Sequence, residues 1–296
     1  FLVSARHEML NTRRARTAHI LLIVFIGMVI ASSVIGWVTN QTVTDVYNKV
    51  VADGLTTAPN PFASVSPLYY ARNAVIYVLL IGSLMAIVLG VQATLRDRKA
   101  STVDLVLSRP VGSAARLLGQ LAGLGVVLAA VIGISFSVSW LIISIINGAP
   151  LGWDDTGRVI AFGLLSWVLL TTFALLGMLT GLRSKQETTA LLVPFVIWSA
   201  VAFVLPQIGT AARPVSLLNP VPAVASTGGY FDVVSAFTGP LSLTEQFKRA
   251  SSIILQDPNV TGEPTSSILI LLTFLVVMTV VVVVTPRNRM RSGLNE

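Results

Sequence analysis

Few residues in this sequence have the types and spacing that catalysis requires. His7 and Glu8 begin like the HExxH helix of a zinc protease, but Asn11 stands where the second histidine is needed. The stretch GISFS at 133–137 resembles the GxSxG turn of a serine hydrolase, but it ends in Ser137 instead of glycine. Because the chain has no cysteine, thiolate nucleophiles and thiolate metal sites are excluded. We therefore expect no catalytic residue, no metal site and no cofactor-binding site in this chain.

The composition is that of an integral membrane protein. Of the 296 residues, 54% are apolar and only 11% are charged, with a mean hydropathy of +0.80. Soluble domains carry about 25% charged residues, so a soluble fold of this length could not bury so much apolar surface. The net charge of +7 then indicates basic loops beside a membrane, and we expect no nucleic-acid partner.

Six apolar runs are long enough to cross a bilayer, which takes about 20 residues as a helix. These predicted spans cover residues 18–38, 74–95, 117–146, 159–182, 188–206 and 266–286. The third is longer than needed and should tilt, kink or project from the membrane. Pro194 should kink the fifth. The predicted fold class is an all-α membrane protein with six transmembrane helices.

The Lys and Arg residues are distributed unequally between the two sides of these spans. The connections on one side carry Lys49, Arg72, Arg158, Arg213, Lys248 and Arg249. The other side carries the remaining fourteen of the 20 basic residues, namely Arg6, Arg13, Arg14, Arg16, Arg96, Arg98, Lys99, Arg109, Arg116, Arg183, Lys185, Arg287, Arg289 and Arg291. Because basic loops stay inside, we expect both termini in the cytoplasm.

This orientation divides the chain into four parts. An amphipathic cytoplasmic segment covers residues 1–17, and spans 1 to 5 cover residues 18–206. An extracytoplasmic segment follows over 207–265, and the last span with a cytoplasmic tail covers 266–296. Residues 39–73 should form a polar outer loop. Residues 241–255 should form a short amphipathic helix with Ser242 or Thr244 as its cap and Leu243, Phe247, Ala250, Ile253 and Ile254 on its apolar face. This helix should lie on the outer membrane surface or pack on the loop.

No charged residue lies well inside a predicted span, since all 13 acidic residues fall outside them and Glu187 is at the very start of the fifth. Ion-driven transporters usually keep titratable groups within the membrane as relays, so their absence argues against proton coupling. The sequence also lacks GxxxxGK[ST], the loop that holds nucleotide phosphates. If ATP drives the protein, another subunit must bind it.

A basic segment lies between spans 2 and 3 and extends into the start of span 3. Residues 96–120 read RDRKASTVDLVLSRPVGSAARLLGQ. Ser101 or Thr102 can cap a short helix there. Val103, Val106 and Leu107 share one face at helical spacing, and Pro110 ends the helix. The pattern fits either an interfacial helix held by anionic lipid or a helix that docks to a partner.

The stretch ASTVDLVLSRPVGSAARLLGQLAG at 100–123 resembles the signature block of ABC-2 type transporter permeases. Leu107-Ser108-Arg109-Pro110-Val111 match that block directly, whereas Ser101, Val103 and Gln120 depart from it. More narrowly, it resembles the branch that includes the nitrous-oxide-reductase maturation permease. The amphipathic residues 1–17 resemble the family's elbow helix, which lies on the inner membrane surface.

The resemblance implies a division of labour between subunits. Two permease copies, identical or homologous, would form the pathway, and separate ABC ATPase subunits would bind ATP and Mg²⁺. The segment 96–116, called the coupling segment below, would dock on the ATPase. Its implied contact residues are Arg96, Asp97, Arg98, Lys99, Val103, Asp104, Val106, Leu107, Arg109 and Pro110, with a second contact at Arg183, Lys185 and Glu187 in the other inner loop.

Two short GxxxG motifs, at 119–123 and 177–181, indicate close helix contacts. These contacts are either ordinary packing within the chain or contacts that shift during transport. The resemblance implies that the first and fifth spans form the contact between permease copies.

Three functions fit these observations. The first is the permease subunit of an ATP-driven exporter in a prokaryotic plasma membrane, with a hydrophobic or amphipathic substrate. The second is an assembly, maturation or sensing component that uses an ATPase without bulk transport, with an outer partner at 207–265. The third is a secondary carrier. The polar groups within the spans are hydroxyls such as Ser83, Ser135, Ser137, Ser139, Ser166, Thr171 and Thr172, beside Trp140, Trp167 and Trp198.

Overall fold

The computed structural model describes residues 2–14, 16–56, 58, 66–99, 113–184, 186–208, 218–223 and 228–285. Its α-helices are α1 (Leu2–Arg14), α2 (Arg16–Ala52), α3 (Ala74–Tyr77), α4 (Ser83–Lys99), α5 (Ser113–Ile146), α6 (Trp153–Arg183), α7 (Glu187–Ser199), α8 (Tyr230–Leu241), α9 (Leu243–Ile254) and α10 (Thr265–Val284). No strand occurs in these ranges. The predicted all-α class is confirmed.

Among the described residues, six helical stretches are long and apolar enough to cross a membrane, as predicted. These are span 1 (His19–Ala52), span 2 (Pro67–Leu95), span 3 (Ala114–Ile146), span 4 (Trp153–Arg183), span 5 (Glu187–Gln207) and span 6 (Thr265–Val284). The long third run is one continuous helix, α5, and its tilt in or projection from the membrane stays a prediction.

The helix of span 1, α2, extends well beyond its apolar part, so the prediction of a polar loop from residue 39 is wrong. Helix α2 continues to Ala52, which adds about 20 Å of helix at 1.5 Å per residue. Residues 39–52 contain no Gly or Pro to end a helix. Their polarity lowers the local hydropathy, but it does not prevent them from being helical. Span 4 likewise begins earlier than predicted, at Trp153.

Two spans contain short π-helical stretches, which are rare and often occur at functional sites. Span 2 starts with a 3₁₀ turn at Pro67–Ala71 and becomes π-helical at Val78–Gly82. Span 5 carries Pro194 within its α-helical part and becomes π-helical at Ala200–Val204.

Spans 2 and 4 form the centre of the bundle. Within the most apolar stretch of each span, 67% of the residues are buried in spans 2 and 4, against 17% to 39% in the other four. Leu79 of span 2 and Leu170 of span 4 are fully buried, and so is Phe25 of span 1. The other four spans therefore surround a central pair and expose apolar side chains that suit contact with lipid.

The predicted amphipathic helix at 241–255 is present as α9, and it contacts the loop as one of the two predicted alternatives had it, since Ser252 donates to the backbone oxygen of Pro220 at 3.5 Å. It packs against spans 4 and 6, and Phe247 is fully buried. The Phe247 ring lies 6.1 Å from that of Phe162 in span 4, centroid to centroid. Ser242 is the N-cap residue, although its side chain makes no capping hydrogen bond. Burial of its apolar face among the spans, rather than capping, holds α9 in place.

Candidate functional site

The coupling segment lies between the ends of two spans. Helix α4 carries span 2 to Lys99 without interruption, and α5 begins at Ser113. Arg96, Asp97, Arg98 and Lys99 thus occupy the last turn of α4. The other six predicted contact residues of this segment, Val103, Asp104, Val106, Leu107, Arg109 and Pro110, lie outside the described residues. Residues 100–112 are therefore joined through the chain to span 2 on one side and span 3 on the other, so a partner that binds them acts on both spans.

Spans 2 and 4 cross with their backbones in contact, in the part of span 2 that precedes the coupling segment. A Cβ atom at Gly90 would overlap the backbone carbonyl of Ala174, and one at Gly177 would overlap that of Ile87. Closer to the end of span 2, a Cβ at Gly181 would overlap the hydroxyl of Thr94. Small residues allow such backbone contact between membrane helices. The GxxxG motif at 177–181 therefore packs within the chain, and spans 2 and 4 should move as one unit.

The N-terminal helix α1 packs against span 3 near the other end of the coupling segment. A Cβ at Gly123 would lie only 2.5 Å from the carbonyl oxygen of Ala5. The side chain of Glu8 is buried, and the Thr12 hydroxyl donates a hydrogen bond to its Oε1 at 3.2 Å. Leu2 and Val3 are about four-fifths exposed. Gly123 of the motif at 119–123 therefore also packs within the chain. The position of α1 on the inner membrane surface remains a prediction.

The predicted second inner loop, residues 184–186, is a short connection between two helices. Arg183 ends α6 and Glu187 begins α7, so that a cation and a carboxylate lie at the helix ends that favour them. The Thr180 hydroxyl donates to the backbone oxygen of Ala190 at 3.2 Å, which ties span 4 to span 5 beside the loop. Arg183 and Glu187 are exposed, and Lys185 lies outside the described residues.

The polar groups predicted within the spans are mostly bonded inside the bundle. The hydroxyls of Ser135 and Ser166 each donate to a carbonyl four residues earlier in their own helix, at 2.8 Å. The hydroxyls of Ser33 and Ser139 lie 2.8 Å apart and join spans 1 and 3. Trp167 donates its indole N–H to the carbonyl oxygen of Gly125 at 2.8 Å. The Ser33–Ser139 and Trp167–Gly125 contacts join helices, whereas the Ser135 and Ser166 hydroxyls are satisfied within their own helix.

A few other polar groups in the spans remain without a partner among the described residues. The hydroxyl of Thr171 and the indole N–H of Trp198 are buried and make no hydrogen bond. Ser137 instead lies on an exposed face of span 3. A buried polar group without a partner is costly, so Thr171 and Trp198 are points where the packing of the bundle is least favourable.

Described residues of the predicted outer segment, 207–265, make ion pairs with buried side chains that the sequence analysis missed. Lys248 of α9 is fully buried, and its Nζ lies 2.8 Å from Oε1 of Glu245. The other oxygen of that carboxylate accepts the backbone N–H of Ala223 at 2.7 Å. The spacing of Glu245 and Lys248 on one helix face was a possible signal for this pair.

A second ion pair connects distant parts of the chain. Arg72, just after the 3₁₀ turn of span 2, lies 3.1 Å from Asp257, whose side chain is fully buried. No local pattern pointed to this contact, because 185 residues separate the two partners. Together with α9, these contacts close one end of the bundle, opposite the end that carries the coupling segment.

Among the residues that the structure describes, no three His, Asp or Glu side chains come together in a way that could hold a metal ion. Comparison with protein families matches residues 2–287 to a family described as ABC-2 family transporter protein. The matched range includes the coupling segment, all six spans and the outer segment. Comparison with curated proteins gave no match.

Proposed function

The chain belongs to the ABC-2 family of transporter proteins and is a membrane permease component of an ABC transporter, and we propose that it exports a hydrophobic or amphipathic substrate. The match over residues 2–287 supports the role of a permease. The packing adds the second part of the argument, because hydroxyl and indole groups inside the bundle mostly bond to each other and to backbone. A strongly polar cargo would lack partners along such a route.

The coupling segment would transmit the work of separate ATPase subunits that bind ATP and Mg²⁺. Its docking contacts would come from Arg96–Lys99 at the end of α4 and from Val103, Asp104, Val106, Leu107, Arg109 and Pro110. Charges in such an interface set specificity and docking speed. Arg183, Lys185 and Glu187 would form the minor contact. This proposal is supported by the continuity of α4 with span 2 and by the short-range crossing of spans 2 and 4.

The proposed motion involves two connected units. ATPase closure would displace the coupling segment, and spans 2 and 4 would follow together because Gly90, Gly177 and Gly181 leave no room for independent sliding. Span 3 would carry α1 with it through the contact of Gly123 with Ala5. Opening at the other end of the bundle would then require α9 to separate from span 4.

In the proposed orientation both termini are cytoplasmic, and the protein resides in a prokaryotic plasma membrane as one half of a pair of permease subunits. The excess of Lys and Arg on the side of the coupling segment supports this orientation. Residues 207–265 would then face outward, where α8 and α9 could receive a further partner.

The deciding experiment is affinity purification of the tagged chain from its native membrane, followed by mass spectrometry and an ATPase assay. We expect an ABC ATPase to copurify in about equal amount, with vanadate-sensitive hydrolysis. Reversing both charges, Asp104→Arg with Arg109→Asp, should retain the spans but uncouple hydrolysis. The matched control is reversal of Asp154 and Arg158, an exposed pair 2.9 Å apart at the opposite end of span 4. Normal coupling in the first variant would refute the docking role.

Two other functions make different predictions for the same purification. An assembly, maturation or sensing component, such as the nitrous-oxide-reductase branch includes, would copurify with an ATPase but show no substrate flux. A secondary carrier would elute without an ATPase and would transport in response to an ion gradient. Flux measured with and without ATP in sealed vesicles separates all three.

A further inference from the structure

An open groove of about 640 Å³ lies between spans 4 and 5, at the end of the bundle near the second inner loop. Leu176 and Leu179 of span 4 form one wall, and Val193 and Ile197 of span 5 form the other. The groove ends at Arg183 and Gln186, where the two spans are connected. It therefore has an apolar length and a polar end.

The way span 5 packs leaves this groove open. Span 5 buries a narrow stripe of Ala190, Pro194 and Trp198, spaced four residues apart. The neighbouring stripe of Thr189, Val193 and Ile197 lines the groove and remains exposed, with Val193 at 40% and Ile197 at 39%. Eight residues of helix separate Thr189 from Ile197, so the stripe is about 12 Å long, and Val193 and Ile197 form its apolar half. The groove is therefore elongated and accessible to lipid.

Charge is concentrated at one end of the groove. Among the described residues that line it, Arg183 carries the only charge, and it is the last residue of span 4. Its guanidinium lies where the apolar helix ends, which is the level of lipid headgroups in a membrane. Guanidinium groups bind phosphate in bidentate fashion, and basic pockets between transmembrane helices bind anionic headgroups. Gln186 adds a hydrogen-bonding side chain at the same end.

We propose that this groove binds an anionic phospholipid, with the lipid phosphate at Arg183 and an acyl chain along Leu176, Leu179, Val193 and Ile197. In the orientation proposed above, this lipid would belong to the cytoplasmic leaflet, whereas the binding itself does not depend on ATP coupling. The site lies beside the second inner loop and directly on span 4, which crosses span 2. A lipid bound there contacts span 4, which is one member of the helix pair that would move during transport.

The test is native mass spectrometry of the purified full-length chain titrated with phosphatidylglycerol or phosphatidylcholine of identical acyl chains. We expect phosphatidylglycerol to bind more tightly to the unmodified chain. Arg183→Gln should weaken its binding by about tenfold, as expected for loss of a charged hydrogen bond, and remove the preference. Arg183→Lys should retain much of it. Val193→Trp, which fills the groove and keeps the charge, should weaken both lipids.

The matched control is Arg158→Gln, which removes an arginine from the other end of the same helix and should leave lipid binding unchanged. An equal loss from Arg158→Gln, equal binding of the two lipids or an unaffected Arg183→Gln variant would each overturn the proposal. Since the chain has no cysteine, a single spin label at Thr189→Cys also tests the alternative occupant. Strong dipolar coupling between labels of two copies, with no contact to spin-labelled lipid, would show that a second copy covers the groove. Lipid binding is measured without ATP hydrolysis. The lipid proposal can therefore be tested even if the exporter proposal is wrong.

Discussion

Arg72 Nη1 lies 3.1 Å from Asp257 Oδ2 and joins the start of span 2 to the chain that follows α9. The guanidinium also lies over the ring of Tyr69, 4.2 Å from its centroid. Asp257 accepts further hydrogen bonds from the backbone and side-chain nitrogens of Asn259. Span 2 therefore contacts the outer segment at one end and carries the coupling segment at the other. This arrangement makes span 2 the direct connection between the two ends of the molecule.

Removing the charge of Asp257 should loosen the outer segment. Asp257→Asn leaves Arg72 without its carboxylate, and breaking a buried pair in this way costs about 3 kcal/mol. We expect a lower thermal unfolding temperature and faster maleimide labelling of a cysteine placed at Ser251, which is buried on α9. The control Asp154→Asn breaks an exposed pair, which should cost less than about 1 kcal/mol. Equal effects from the two variants would contradict a fastening role.

The crossing of spans 2 and 4 should not tolerate a single added methyl group. Gly90→Ala places a Cβ against the carbonyl of Ala174, and such overpacking costs about 1–3 kcal/mol. Gly133→Ala is the matched control, because that glycine lies in the helix of span 3 with nothing within 4 Å of an added Cβ. Thermal unfolding followed by size-exclusion chromatography measures both. A Gly90→Ala variant as stable as Gly133→Ala would disprove the backbone contact.

The contact between α1 and span 3 should depend on Gly123. Gly123→Ala would bring a Cβ within 2.5 Å of the Ala5 carbonyl oxygen, whereas Gly125→Ala meets the Trp167 ring at an ordinary 3.5 Å. Both variants gain the same helix propensity, so their difference isolates the contact. A spin label on a cysteine at Ala5 should become more mobile in Gly123→Ala alone. Unchanged mobility would mean that α1 is held by other contacts.

The buried ammonium of α9 should matter more than its exposed neighbour. Lys248→Met leaves the Glu245 carboxylate without its 2.8 Å partner in a largely buried site, so we expect a loss of about 3 kcal/mol. Adding Glu245→Gln should recover part of that loss, since the uncompensated charge is removed. Arg249→Met is the control, because Arg249 is exposed. Urea or thermal unfolding in detergent gives the double-mutant cycle, and full additivity of the two changes would argue against the pair.

Several features of this chain could be predicted from local sequence. The six spans follow from composition. Backbone groups in lipid must form hydrogen bonds within the protein, and a long apolar run meets this requirement by forming a helix. The period of α9 likewise follows from residues such as Leu243, Phe247 and Ala250. The end of helix α2 could not be predicted in this way, because hydropathy locates the edge of the membrane and a helix can continue beyond it.

The tertiary structure decided what those helices contact. Phe247 faces Phe162, Gly123 faces Ala5, and Arg72 pairs with Asp257, although no spacing in the sequence relates the partners. Burial of α9 among the spans could not be predicted, since its amphipathic pattern suits a membrane surface equally well. The sequence by itself determined which segments are helical and apolar, because these properties are summed over neighbouring residues. Only the packed chain determined the ion pairs, the helix crossings and the groove, because each depends on side chains brought together from distant positions.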